Sequence, residues 1–217
     1  MIEEVKEKLR KEFNMNDLGL MHYCLDIQVW QKNDGIFILQ SRYDKDLLKR
    51  FHMEYYKESP TLMETWIRLT TDDGSNLVDN NIYRQFVGSF IYLTNTRPNI
   101  AYLVGKVIRY MIALRQIDWM ATKWILRYIK STLDSGIWYT SISIGTGLIG
   151  YANVDWEGSL EDRKSTIGYI FRLGLGAISW CNKKQPTIAL SSTKLKYKYT
   201  SATIKEVIWL RIILEYL

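Results

Sequence analysis

Four short apolar runs, at 137–140, 148–154, 166–173 and 177–181, are followed by one long stretch of a different period. The runs are strand-length and are separated by glycine or charged turns. In the stretch that follows, Ile204, Val207, Leu210, Leu214 and Leu217 recur at helical spacing, with Ser191 or Ser192 as the cap. Strands that feed one long helix predict a small α/β or α+β unit whose helix covers the sheet.

The preceding residues read differently. Residues 1–13 suit an amphipathic helix, with Val5, Leu9 and Phe13 at four-residue spacing. Residues 23–30 and 36–40 flank Lys32-Asn33-Asp34-Gly35, where Asp-Gly supplies hairpin turn chemistry. Ser41 is a candidate helix cap, with Asp44 completing a short capping-box variant and Leu47, Leu48 and Phe51 giving an apolar face. Ser59-Pro60 interrupts this pattern and opens a polar stretch to about Asn81, either a domain boundary or a surface connection. Helical segments are expected at 81–93, 98–113 and 118–130, with Pro98 in a first turn and Asp118 as an N-cap.

The chain's 217 residues allow one large domain or two small ones, and a 47% hydrophobic, 24% charged composition is globular rather than disordered. A net charge of +6 favours approach to polyanions without proving it. Cys24 and Cys181 form no CxxC pair and read as reduced, packed residues. His22 and His52 belong to no triad or zinc constellation. No Walker loop, HExxH, GxSxG or Rossmann fingerprint occurs. The charged start has no signal-peptide core, and no run approaches the roughly 18 apolar residues of a membrane span. A soluble intracellular protein, cytoplasmic or nuclear and without a membrane partner, is the expectation.

Several motifs then fall in one order. Asp155-Trp156-Glu157-Gly158, Asp162-Arg163-Lys164-Ser165-Thr166-Ile167-Gly168-Tyr169, Ile178-Ser179-Trp180, Lys183-Lys184-Gln185-Pro186 and Ser191-Ser192-Thr193 closely resemble the ribonuclease H region of Ty1/copia-type retrotransposon Pol polyproteins. Asn16-Asp17-Leu18-Gly19, Tyr83, Gly88-Ser89, Tyr92-Leu93-Thr94 and Thr96-Arg97-Pro98 resemble the end of the reverse transcriptase and its connection, as does Trp124-Ile125-Leu126-Arg127-Tyr128-Ile129-Lys130. The resemblance implies an α+β chain: a reverse transcriptase palm/thumb remnant over 1–64, a helical connection over 65–135, and a truncated ribonuclease H-like α/β domain over 136–217. No YxDD occurs, so the chain is expected to start just after that catalytic strand. Family members carry glycine where Asp26 follows Tyr23-Cys24-Leu25, and glycine permits backbone conformations that aspartate resists.

Two-metal phosphodiester hydrolysis needs clustered carboxylates. The resemblance places Asn153 at the first ligand position, leaves Asp155 as a neighbouring remnant, and puts Lys194 and Lys196 where the family has two glutamates. Asparagine brings no negative charge, and an ammonium repels a divalent cation. The other acidic ligands would lie beyond Leu217. The implied Mg²⁺ or Mn²⁺ therefore belongs to the ancestral activity, and no cofactor is expected here.

From Tyr151 onward, ten basic and six acidic side chains leave a local +4, and the three replacements account for five units of change towards positive charge. Arg163, Lys164, Lys183, Lys184, Lys194, Lys196 and Lys198 are the candidate contacts to an RNA–DNA hybrid, although Lys194, Lys196 and Lys198 also suit a plain solvated face. Asp155 also reads as a plain strand-end carboxylate. Two alternatives stand beside hybrid binding: residual ribonuclease H activity with added sequence or a partner, and a protein-interaction module whose partner covers the truncated sheet edge.

Overall fold

The computed structural model describes residues 2–16, 19–64, 69, 74, 80–111, 114–141, 147–155, 164–188 and 191–216. Its elements are mixed α and β in an α+β order. They begin with helix α1 (Ile2–Glu12), strands β1 (Tyr23–Cys24), β2 (Ile27–Lys32) and β3 (Gly35–Leu39), and helix α2 (Ser41–Arg50). Helix α3 (Asn80–Leu93), a single turn of 3-10 helix (Pro98–Ile100), α4 (Ala101–Val107) and α5 (Gln116–Ser131) follow. The chain then forms β4 (Gly136–Thr140), β5 (Leu148–Asp155), β6 (Thr166–Leu173), β7 (Gly176–Lys184) and α6 (Ser192–Tyr216). Among the described residues no helix is long and apolar enough to cross a membrane.

The four-stranded antiparallel sheet runs β1-β2-β3-β4, and the second sheet is a three-stranded meander, β5-β6-β7. β4 is a strand as its sequence predicts, but its partner is β3, with Phe37 opposite Trp138 and Ile38 opposite Ile137. That pairing buries Ile137 beside Val29, because both point to the same side of the pleat.

Two tight turns shape the first sheet. Lys32 pairs with Gly35, so Asn33-Asp34 form the β2–β3 turn and Gly35 already belongs to the ladder. The glycine is required by its neighbours rather than by the turn, since a Cβ there would lie 2.3 Å from the Tyr139 carbonyl oxygen. The β1–β2 turn is the one that needs unusual dihedrals: Leu25 and Asp26 take φ values of 46° and 60°. This is the left-handed backbone that glycine adopts at no steric cost, and it gives the Asp26 replacement its physical meaning. Tyr23 donates a 2.6 Å hydrogen bond to the Asp26 carboxylate, and the Tyr92 hydroxyl donates to the Leu25 carbonyl.

One helical core takes Leu47, Leu48 and Met53 from α2 and its end, Phe86, Phe90 and Leu93 from α3, Leu103, Val104 and Val107 from α4, and Ile125, Leu126 and Ile129 from α5. Residues beyond Arg50 run back along α5: Arg127 donates to the Lys57 carbonyl, Ser131 to that of Ser59, and Trp124 to that of Thr61. The start of the polar stretch is thus docked, while most of the rest of it, 65–68, 70–73 and 75–79, lies outside the described residues. The expected apolar stripe of α1 remains exposed, Val5 at 51% and Phe13 at 57%.

Caps differ from the sequence expectations for identifiable reasons. Ser41 does not cap α2; its hydroxyl donates to the Gln28 side chain at 2.8 Å, fastening α2 to β2. Asp44 forms no capping box there, because its buried carboxylate receives Arg97 at 3.0 Å. Asp118 is not the first cap of α5 but sits one turn in, accepting the Arg115 backbone N–H at 3.0 Å. Pro98 does begin a helical turn, and Ser191 does cap α6, accepting the Lys194 N–H at 3.2 Å.

Arg97 is almost wholly buried, at 1% exposure. Its fork also donates to the Thr132 carbonyl and hydroxyl, so α2, the α3–α4 corner and the end of α5 meet on one guanidinium. Burial pushes the Asp44 carboxyl up to about 7, with the guanidinium pulling it back. Removing one member strands the other charge, so Asp44→Ala is expected to lose about 3–5 kcal/mol in urea denaturation. Replacing Leu25-Asp26 by Asn-Gly is expected to raise stability by about 1 kcal/mol, read as a higher melting temperature.

Candidate nucleic-acid interface

The three-stranded sheet has two covered faces. Alternation along the strands puts Ile167, Tyr169, Phe171, Ser179 and Cys181 on one face, and Asn153, Gly168, Trp180 and Asn182 on the other. Helix α6 lies on the first: Ser179 donates a 2.6 Å hydrogen bond to Glu206, and Leu195 and Leu210 are buried. Burial, with Cys181 and Glu206 adding to it, pushes the Tyr169 hydroxyl up to about 12.

The connecting helices lie on the second face. Trp180 donates from its indole to the Thr94 carbonyl at 2.9 Å, and Arg109 donates to the Thr166 hydroxyl at 3.1 Å. Gly105 lets α4 come close to β7, since a Cβ there would be 2.9 Å from the Asn182 side-chain oxygen. A groove of about 560 Å³ remains between the layers, lined by Asn99, Tyr102, Tyr151, Asn153, Trp180 and Asn182 among others.

The candidate ligand positions separate accordingly. Asn153, in β5, looks into this groove, and its side-chain oxygen accepts the Val154 N–H at 2.8 Å. Asp155 ends the same strand in register with Thr166 and Lys184; its side chain lies outside the description. Lys194 and Lys196 are exposed on the opening turns of α6, the helix that packs on the opposite face. Lys198, one turn after Lys194, reaches Thr187 at 2.7 Å. Among the described residues no three His, Cys, Asp or Glu side chains gather as a metal site.

The basic candidates do not all meet. Lys183 is exposed on the α6 side of β7, and Lys184 is half-buried on the connector side. Lys164 stands half-buried just before β6, and Arg163 lies outside the described residues. Lys194 and Lys198, four apart, share a face of α6, whose first turn carries no acidic residue, while Lys196 lies round the helix from them. Sequence reasoning missed Arg109, which ties connector to sheet, and Asn182, which lines the groove; a polar break in the apolar alternation of β7 signalled Asn182, and nothing signalled Arg109. Cys24 is exposed rather than packed, and Cys181 is half-buried; both are free.

These features define an α+β chain in which a helical connector and a C-terminal helix sandwich a three-stranded antiparallel sheet. It belongs to the retrovirus-related Pol polyproteins of copia-type retrotransposons. It is 35% identical over 97% of its length to the Pol polyprotein from transposon RE2 of Arabidopsis thaliana, spanning 14% of that protein. It is 33% identical over 99% of its length to the Pol polyprotein from transposon TNT 1-94 of Nicotiana tabacum, spanning 17% of it. An uncharacterised mitochondrial protein of Arabidopsis thaliana is 33% identical and is matched over 83% of its length. No protein-family profile matches the chain, and no solved structure does.

The indole of Trp180 is the link most open to a single change. Trp180→Phe keeps the ring but leaves the Thr94 carbonyl unpaired in the seam, an expected loss of about 1–3 kcal/mol measured by chemical denaturation.

Proposed function

We propose that the chain is a degenerate polymerase–ribonuclease H remnant that has lost autonomous catalysis and holds an RNA–DNA hybrid through phosphate contacts. The supporting observation is the opening of α6. There Lys194 and Lys196 stand exposed, at positions where the family resemblance expects glutamates, beside backbone N–H groups that favour anions. The division into a polymerase remnant over 1–64, a connection over 65–135 and a ribonuclease H-like domain over 136–217 belongs to the same reading. The β5-β6-β7 meander followed by α6 supports its last part, whereas β4 shares its ladder with β3.

Catalysis would require carboxylates where Asn153 and Lys196 stand. Mg²⁺ or Mn²⁺ would need them as ligands, and amide and ammonium groups offer a divalent ion no charge to replace its water. The residues present therefore do not fit the ancestral metals. The prediction is absence of hybrid cleavage with either metal by folded protein.

A second reading draws on α6 itself. Ile204, Ile208, Trp209, Ile212 and Tyr216 are all exposed along one helix, with Trp209 at 55%. That stripe favours a protein partner.

Binding to a labelled RNA–DNA hybrid across a salt series separates the two. Affinity should fall steeply with salt. Lys194→Glu with Lys196→Glu should weaken it by ten-fold or more, given about 1 kcal/mol for each lysine–phosphate hydrogen bond removed and a further penalty for each carboxylate introduced. Absence of hybrid binding by folded, monodisperse protein at low salt overturns the phosphate reading.

A further inference from the structure

The four-stranded sheet carries a feature that neither α6 nor the connector groove explains. Trp30, Phe37 and Trp138 stand side by side on three adjacent strands, because Trp30 pairs with Phe37 and Phe37 with Trp138. Their ring centroids are 5.8 Å and 6.1 Å apart, with interplanar angles of 54° and 46°. With Lys32 they enclose a shallow, open groove of about 350 Å³. The opposite side of the same strands holds Val29 and Ile137 in the interior; on this side Leu39 is buried, Phe37 and Trp138 are half-buried and Trp30 is exposed, so the row opens to solvent.

Packing accounts for two of the three rings. Phe37 lies over Gly136, where a Cβ would come within 2.9 Å of the ring, and Trp138 lies over Gly35 at 3.0 Å. Aromatic rings commonly cover glycine in a sheet in this way. Trp30 has no glycine beneath it and remains 48% exposed. An indole left in water, next to two rings that cover glycines, is a surface that interior packing did not require.

We propose that Trp30, Phe37 and Trp138, with Lys32, form a stacking platform for the unpaired bases of a single-stranded nucleic acid. Every base has an apolar face that can lie on a ring, and such contacts are tolerant of sequence. Three rings at separate tilts offer separate faces, so consecutive bases need not stack on one another. Lys32 is two residues along β2 from Trp30 and points to the same side, roughly 6–7 Å away at strand rise. It is the one charged side chain in the lining, and it is positive, as a strand of phosphates beside stacked bases requires.

A protein partner fits less well. Stable interfaces take about 20–30 residues from each side, and this groove is made by four. The platform does not depend on hybrid binding at α6; the two surfaces lie on different sheets and can succeed or fail separately.

The test is fluorescence anisotropy of a short labelled oligo-thymidine strand, beside an abasic strand of the same length and charge. Stacking predicts much tighter binding of the strand that has bases. Trp30→Ala should weaken oligo-thymidine binding by between about five- and a hundred-fold. Trp30→Phe should restore most of it, and Lys32→Ala should lessen the salt dependence by about one counterion. Lys194→Glu with Lys196→Glu should lower affinity for the oligo-thymidine and abasic strands alike and leave the preference for the strand with bases intact, which keeps this test apart from that of the hybrid reading. Three results overturn the proposal: equal affinity for the abasic strand, unchanged binding by a folded Trp30→Ala protein, or self-association without nucleic acid that Trp30→Ala abolishes. The last assigns the rings to a second copy of the chain.

Discussion

Arg97 is the residue on which the arrangement of helices turns. Its guanidinium is buried between Asp44 of α2 and Thr132 at the end of α5, and Pro98 follows it directly. A lysine could satisfy Asp44 but could not reach two elements with a planar fork. Because α5 leads through Thr132 into β4, the same group also fixes where β4 enters the first sheet. Thr96, one residue earlier, binds Gln40 at 2.7 Å, and Gln40 immediately precedes α2. Three consecutive residues therefore set the position of a hairpin, three helices and the strand that completes the sheet. The ion pair is costly to bury, and its hydrogen bonds offset that cost by specifying one packing rather than many.

From that frame the second sheet is joined to the connector by polar, local contacts, while Ile167 and Phe171 are buried on the face that α6 covers. Tyr139 rests its ring on Gly176 and donates to the Ala177 carbonyl at 2.7 Å, while Trp180 and Arg109 reach across from sheet to connector. Each depends on direction as well as proximity. The seam consequently orients the sheet while leaving the groove beside Asn153 unfilled.

Much of this was legible as pattern. The four strands of the C-terminal third, the hairpin, the connector helices and α6 follow from alternation, turn residues and helical spacing. What escaped was partnership. Ser41 and Asp44 read as a cap because cap residues and tertiary ligands are the same residue types; only the distant Gln28 and Arg97 decide which role they take. Strand β4 reads as a strand but cannot announce whether its neighbour is four residues or one hundred away. Thr96-Arg97-Pro98 was visible as a family motif, yet nothing in it says that the arginine is an interior clasp. At the interface, spacing made only the shared face of Lys194 and Lys198 legible, since Lys196 is two residues from each. The opposed placement of Asn153 and α6 was not, because it depends on which face of the sheet the helix crosses.

The opening of α6 joins stability to binding. The first N–H groups of a helix lack intrahelical partners; here Ser191 satisfies that of Lys194, and the opening turns carry the cations Lys194 and Lys196, with no acidic residue in the first. Cations near a helix start are each unfavourable by about 0.3–1 kcal/mol. An anion seated there removes that penalty and meets the free N–H groups at once, so a helix that starts this way is more stable with phosphate than without. Lys194 and Lys196 thereby leave a helix start whose electrostatics an anion would complete. Under the proposed hybrid reading, a polyanion held there would bind the folded helix better than the unfolded chain, and so would stabilise the packing of α6 on the sheet.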